Sequence, residues 1–164
     1  YIPGYGLLLN NDLALSAKLS ASSEKHHVSN LVNGELRNMG DAVNLWQSDG
    51  ISDSGEYVTF KWDEPKIIKT VILRFDSDLS SELTITLSDG VRKSQKMFPE
   101  TLIKDYDVIF YDKGNIVGEL RHADNILRLN KLKVDFIADE VKIVLKKTHG
   151  AVDASMFAVN IFEF

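Results

Sequence analysis

The side chains able to do chemistry in this 164-residue chain are polar groups set in predicted loops and strand ends. They are His26, His27, Arg37, Asn38, Arg74, Asp76, Asp78, Arg121 and His122. The adjacent pair His26-His27 cannot easily grip one ion, because neighbouring residues on a helical turn face different ways. It reads as an exposed pair capping a short helix, with a ligand role as the alternative. Arg74 stands inside an apolar run and is followed by Asp76 and Asp78. A structural ion pair is the first reading there and ligand binding the second.

Catalytic patterns are missing. The chain has no cysteine, so it offers no disulfide framework, thiolate metal site or cysteine nucleophile. It has no G-x-S-x-G, no H-E-x-x-H and no phosphate-binding loop. Carboxylates are numerous but scattered. An independent glycoside hydrolase needs only two of them at the right separation, so that reading stays behind the others without support of its own. Sugar recognition needs a flat aromatic and polar groups that read hydroxyls. Trp46 and Trp62 read as core, which leaves Tyr5, Tyr106 and Tyr111 as candidates for exposed rings.

The length suits one domain with a sizeable core. Net charge is −5 with acids and bases interspersed, so no basic face is present for nucleic acid. No apolar run nears the roughly 18 residues of a membrane span, and no signal-peptide pattern is present. The chain starts at Tyr1 rather than Met, which suggests a piece of a longer protein. Freedom from cysteine is compatible with export, and a secreted or periplasmic location is favoured without a signal to establish it.

The positioning elements are strands. Residues 56–62 (EYVTFKW) alternate Val58, Phe60 and Trp62 with polar neighbours, and residues 70–76 (TVILRFD) alternate Val71, Leu73 and Phe75. Residues 83–87, 107–111, 140–145 and 158–162 continue the pattern. Ser88-Asp89-Gly90 and Asp112-Lys113-Gly114-Asn115 read as hairpin turns. One short helical turn is expected over residues 28–33, ending at Gly34. The fold class is therefore all-β, a two-sheet antiparallel sandwich with one short helical turn. Residues 1–12 (YIPGYGLLLNND) read as a linker or arm from a preceding domain, with the sandwich over residues 13–164.

The order of motifs resembles the galactose-binding-like sandwiches, which include discoidin and coagulation-factor type C domains and bacterial carbohydrate-binding modules. The motifs are DLALSAKLSASS at 12–23, SNLVNG at 29–34, NLWQS at 44–48, Pro65 before a long strand, the hairpin at 104–114 and THGAVDASMFAV at 148–159. The arm Tyr1-Ile2-Pro3-Gly4 and Asp12-Leu13-Ala14 resemble the junction before the C-terminal sandwich of large bacterial FAD-dependent oxidoreductases. That likeness implies a jelly-roll domain accessory to a catalytic domain of the same polypeptide, with FAD held only in that other domain. It also implies a calcium ion at the turn before the tryptophan, held here by Asn33, Asp41 and Glu163. Asn33 stands where the family usually has Asp, so a turn stitched by its own hydrogen bonds is the alternative. A glycan would meet the loop end built from His26, Arg37, Arg74 and His149. His149 sits where the family usually has Asn, and neither Val152 nor Asp153 supplies a stacking ring. A carbohydrate-binding role and a purely structural packing role therefore both stand.

Overall fold

The computed structural model describes residues 11–78 and 98–164. Tyr5, most of the predicted arm, the predicted strand at 83–87 and the turn at Ser88-Asp89-Gly90 lie outside the described residues. Among the described residues the elements are two 3₁₀ turns, η1 (Leu13–Ser16) and η2 (Val28–Val32), and seven strands: β1 (Lys18–Ala21), β2 (Trp46–Gln47), β3 (Glu56–Phe75), β4 (Ile103–Asp112), β5 (Asn115–His122), β6 (Leu129–Thr148) and β7 (Ser155–Phe162). Every pairing is antiparallel, with the order β2-β7-β3-β6-β4-β5 and β1 added beside β3.

The two strands predicted at 56–62 and 70–76 are one 20-residue strand. Asp63-Glu64-Pro65 interrupts it, and the register against β6 jumps between Lys61 and Lys66. Proline has no N–H to give to a ladder, so a central strand carrying one must leave the ladder locally. The halves on either side have different neighbours. Residues 58–61 lie between β1 and the stretch 140–143 of β6, whereas residues 70–74 lie between β7 and the stretch 129–133 of β6. Both long strands thus serve two layers, and a bulged strand that changes sheet is how a sandwich makes a corner.

One core fills the space between the layers. Val58, Phe60 and Trp62 come from one half of β3, and Val71, Leu73 and Phe75 come from the other. Strand β7 departs from the expected alternation, since all eight of its residues are buried. The reason is that η1 and η2 both pack on it, so its outer side is covered as well. Tyr106, a candidate exposed ring, is buried instead. It shares the inward face of β4 with Val108 and Phe110, meets Phe75 edge-on at 5.0 Å and stacks on His122 at 4.7 Å. Burial raises the pKa of its phenol, whose oxygen has no hydrogen-bond partner. The hairpin at Asp112-Lys113-Gly114-Asn115 is as predicted, with Lys113 and Gly114 both left-handed at φ 50° and 80°.

The helical turn η2 is where residues 28–33 predict it, with Asn33 as C-cap. The second turn, η1, is held by Asp12, the last residue of the predicted arm. Asp12 is buried, and its Oδ1 accepts the N–H groups of Ala14 (3.0 Å) and Ile161 (2.8 Å). Its Oδ2 accepts from Asn160 Nδ2 at 2.6 Å.

Trp62 is core, with its indole N–H donated to the Leu13 carbonyl at 3.0 Å. Trp62→Ala is expected to cost about 3–5 kcal/mol in denaturant unfolding. A variant as stable as the parent would place the ring outside the core. Far-UV circular dichroism of the parent should be β-dominated, with a single cooperative thermal transition.

Candidate functional site

The side chains singled out for ligand binding lie around the loops that flank β2, β3 and β7. His26 forms an isolated bridge with Gln47 through two backbone hydrogen bonds, of 3.2 and 3.3 Å, and its ring is half-buried. His27 is exposed and sits 3.3 Å from the Glu24 carboxylate. The His149 ring is tied down, with Nε2 2.7 Å from the Asn125 carbonyl and Phe98 tilted against it at 4.8 Å. Its own backbone N–H reaches the Leu102 carbonyl at 3.0 Å.

Arg74 is also committed inward, though to a different partner from the one its neighbours suggest. Nη1 donates to Asn160 Oδ1, while Asp76 accepts from Ser155 Oγ at 3.2 Å and from the Asp78 N–H at 2.9 Å. Burial lowers the Arg74 pKa, and the nearby Arg128 cation lowers it further. Arg128 escaped the sequence reading, although it breaks the apolar run Ile126-Leu127-Arg128-Leu129 just as Arg74 breaks its own. It donates to the Leu36 carbonyl at 2.6 Å and lies 5.6 Å above the Phe157 ring, and burial lowers its pKa too. The bond to Leu36 carries the loop of Arg37 to this pair of cations. Arg37 itself is exposed.

The turn marked for calcium is closed by amide side chains. Asn33 Oδ1 accepts the Glu35 N–H at 2.8 Å, and Asn38 Oδ1 accepts the Asn44 N–H at 2.8 Å. Asn44 Nδ2 donates to the Arg37 carbonyl at 3.1 Å. Met39 and Ala42 exchange backbone bonds of 3.1 and 3.0 Å, which leaves Asp41 on the exposed tip. Glu163 follows the far end of β7, seven residues beyond the Met156 that pairs with Trp46. Calcium takes roughly six to eight oxygens. Among the described residues, no three His, Cys, Asp or Glu side chains gather in that way.

Two carboxylates bind this region to the sheets. Asp153 accepts from Lys25 Nζ (2.8 Å), Gln47 Nε2 (2.9 Å) and the Gly50 N–H (3.0 Å). The Lys25 hydrogen bond is the main cause of its lowered pKa. Glu56, buried at the start of β3, accepts from Ser22 Oγ (2.5 Å), Ser23 Oγ (2.8 Å) and the Ser52 N–H (3.3 Å). Burial alone would raise its pKa, but these donors outweigh it and the net shift is downward.

No family model matches this sequence, and no curated protein matches it. Solved structures do match in fold. A fucose binding module from Streptococcus pneumoniae superposes with a TM-score of 0.68 at 13% identity, over 93% of this chain and 98% of that one. The lectin domain of lectinolysin complexed with Lewis B antigen gives 0.68 at 14% identity, over 93% and 96%. The family 32 CBM from C. perfringens NanJ in complex with galactose gives 0.62 at 16% identity, over 92% and 97%. The chain thus shares the antiparallel β-sandwich fold of these modules.

Titrating calcium to millimolar levels into chelator-treated protein is expected to leave its Tm unchanged, because the amide oxygens of the turn already have donors. A rise by mass action would show an ion bound to the folded state. Asp153 gives a second test. Its folded pKa lies below the ordinary 3.8, so its contribution is present above that value and lost as pH falls through the folded value. Asp153→Asn should lower Tm at neutral pH and flatten part of the fall in Tm below about pH 4. An unchanged acid profile would mean that this carboxylate carries none of the linkage.

Proposed function

We propose that this chain is a non-catalytic, carbohydrate-binding accessory module of a larger protein. The observation that carries the reading is the agreement in fold, over nine-tenths of both chains, with a fucose binding module, a lectin domain complexed with Lewis B antigen and a family 32 CBM in complex with galactose. Fold alone does not supply a function, so the site must bear the rest. In this reading Arg37 and His26 are the hydroxyl readers at the loop end, while the Arg74 guanidinium is spent on Asn160 and the His149 ring on the Asn125 carbonyl. Among the described residues no exposed phenyl, phenol or indole ring accompanies them there, and the late loop presents Val152, which is 78% exposed. Two or three hydrogen bonds without stacking give a dissociation constant on the order of millimolar, which suits a short terminal sugar.

A glycan array followed by calorimetry tests this reading. The parent should bind a neutral sugar weakly, and Arg37→Ala should abolish the signal while leaving Tm within about 1 °C. Binding that survives Arg37→Ala would remove Arg37 from the site.

A second reading has one observation in its favour. Ile67 and Ile137 are cross-strand partners and are 48% and 61% exposed, so an apolar pair faces outward beside the bend in β3. Such a pair suits packing on a catalytic domain of the same polypeptide. The resemblance makes a flavin domain of an FAD-dependent oxidoreductase the first one to try. Co-purification with that domain, lost on Ile137→Lys, together with silence on a broad glycan array, would favour packing over sugar binding.

A further inference from the structure

The single phenyl, phenol or indole ring exposed among the described residues is not at the loop end at all. It is Phe164, 65% exposed, just past the far end of β7. It lines a cleft of about 500 Å³ with Asn11, Asp12, Leu13, Leu15, Ser16 and Glu163, a volume in the range of small-molecule sites. We propose that this cleft between η1 and the end of β7 is a second saccharide site, which takes a neutral pyranose. The ligand class rests on the carbohydrate reading above, but the place does not.

The chemistry follows from the walls. Phe164 and the half-exposed Leu15 offer apolar surface to the C–H face of a sugar ring. Glu163 has no hydrogen-bond or ion-pair partner among the described residues, so its carboxylate is available to accept from hydroxyl groups. Asn11 adds an amide. Ser16 Oγ spends its proton on the Leu13 carbonyl at 3.0 Å and keeps its lone pairs to accept. The negative charge of Glu163 disfavours acidic sugars. The walls are also held in place before any ligand arrives. Asp12 ties η1 to Asn160 and Ile161 of β7, and Thr70 Oγ1 donates to the Phe164 carbonyl at 2.6 Å. A cleft held this way loses little freedom on binding.

The two tryptophans report on the two ends separately. Trp62 donates to Leu13 in the wall of the cleft, whereas Trp46 donates to Ser23 at 3.1 Å, beside the bridge of His26 with Gln47. In ¹⁵N-labelled protein their indole N–H signals, assigned with Trp46→Phe, can be followed while methyl glycosides of galactose, fucose and glucose are added. Additions should reach roughly 50 mM, well above a millimolar dissociation constant. A saturable shift of the Trp62 signal is expected, lost in Phe164→Ala and weakened about tenfold in Glu163→Gln. Both variants should keep the parent Tm. A shift of Trp46 alone would overturn the cleft and leave the carbohydrate reading standing. Silence at both indoles would overturn both, and a Trp62 shift that persists in Phe164→Ala would overturn the cleft.

Discussion

The fold depends on a shared bend. Asp63-Glu64-Pro65 cannot continue the ladder between β3 and β6, and the register resumes only at Lys66 opposite Ala138. Without that interruption, two 20-residue strands would run side by side in one layer and expose a whole apolar face. With it, each strand turns a corner, and the apolar residues of both halves face a common interior. The hydrophobic burial that drives folding is therefore conditional on a local defect in hydrogen bonding.

Carboxylates, two buried and one half-buried, close the two ends left open by the bend. Asp12 fastens the N-terminal turn to β7, Glu56 gathers Ser22, Ser23 and the Ser52 N–H at the start of β3, and Asp153 joins Lys25, Gln47 and Gly50. Each accepts at least three hydrogen bonds, which is how an acid is held in a half-dry site without a paired cation at hand. Lys25 beside Asp153 is one exception, its side chain half in solvent, and the Arg74 cation is near enough to Asp12 to feel its charge. These groups explain why short polar motifs such as Ala21-Ser22-Ser23 stand out in the sequence: the hydroxyls are donors to an acid far along the chain.

Strands were legible where alternation was complete, as at Val58, Phe60 and Trp62. β7, covered on both sides, was read only over residues 158–162 of Ser155–Phe162, and strands wet on both sides were not read. β5 carries Ile116 and Val117 outward on an edge, so its pattern does not alternate, and the first half of β6 intersperses lysines with exposed Leu129 and Ile137. Tyr106 was misread because a tyrosine in a strand signals neither face by type, and only its neighbours Val108 and Phe110 give the inward side away. The candidate site was less legible still. Arg74 was recognised as unusual, but its partner Asn160 lies 86 residues away, and no local pattern links them.

The same comparison bears on where a ligand can sit. A polar side chain used to close the fold is not thereby available to a sugar, and the loop end spends most of its polar groups on closure. Asn33, Asn38 and Asn44 hold one another's loop, His149 holds Asn125, Arg128 holds Leu36 and Arg74 holds Asn160. Recognition of hydroxyls needs donors and acceptors that point outward with their valences open, together with a surface that excludes water from one side of the ring. By that measure the two ends of the sandwich differ in kind. The loop end is rich in polar atoms already satisfied, and the cleft at Phe164 is poorer in polar atoms but holds an open carboxylate and the exposed ring. A module built this way would bind through what its fold leaves unused.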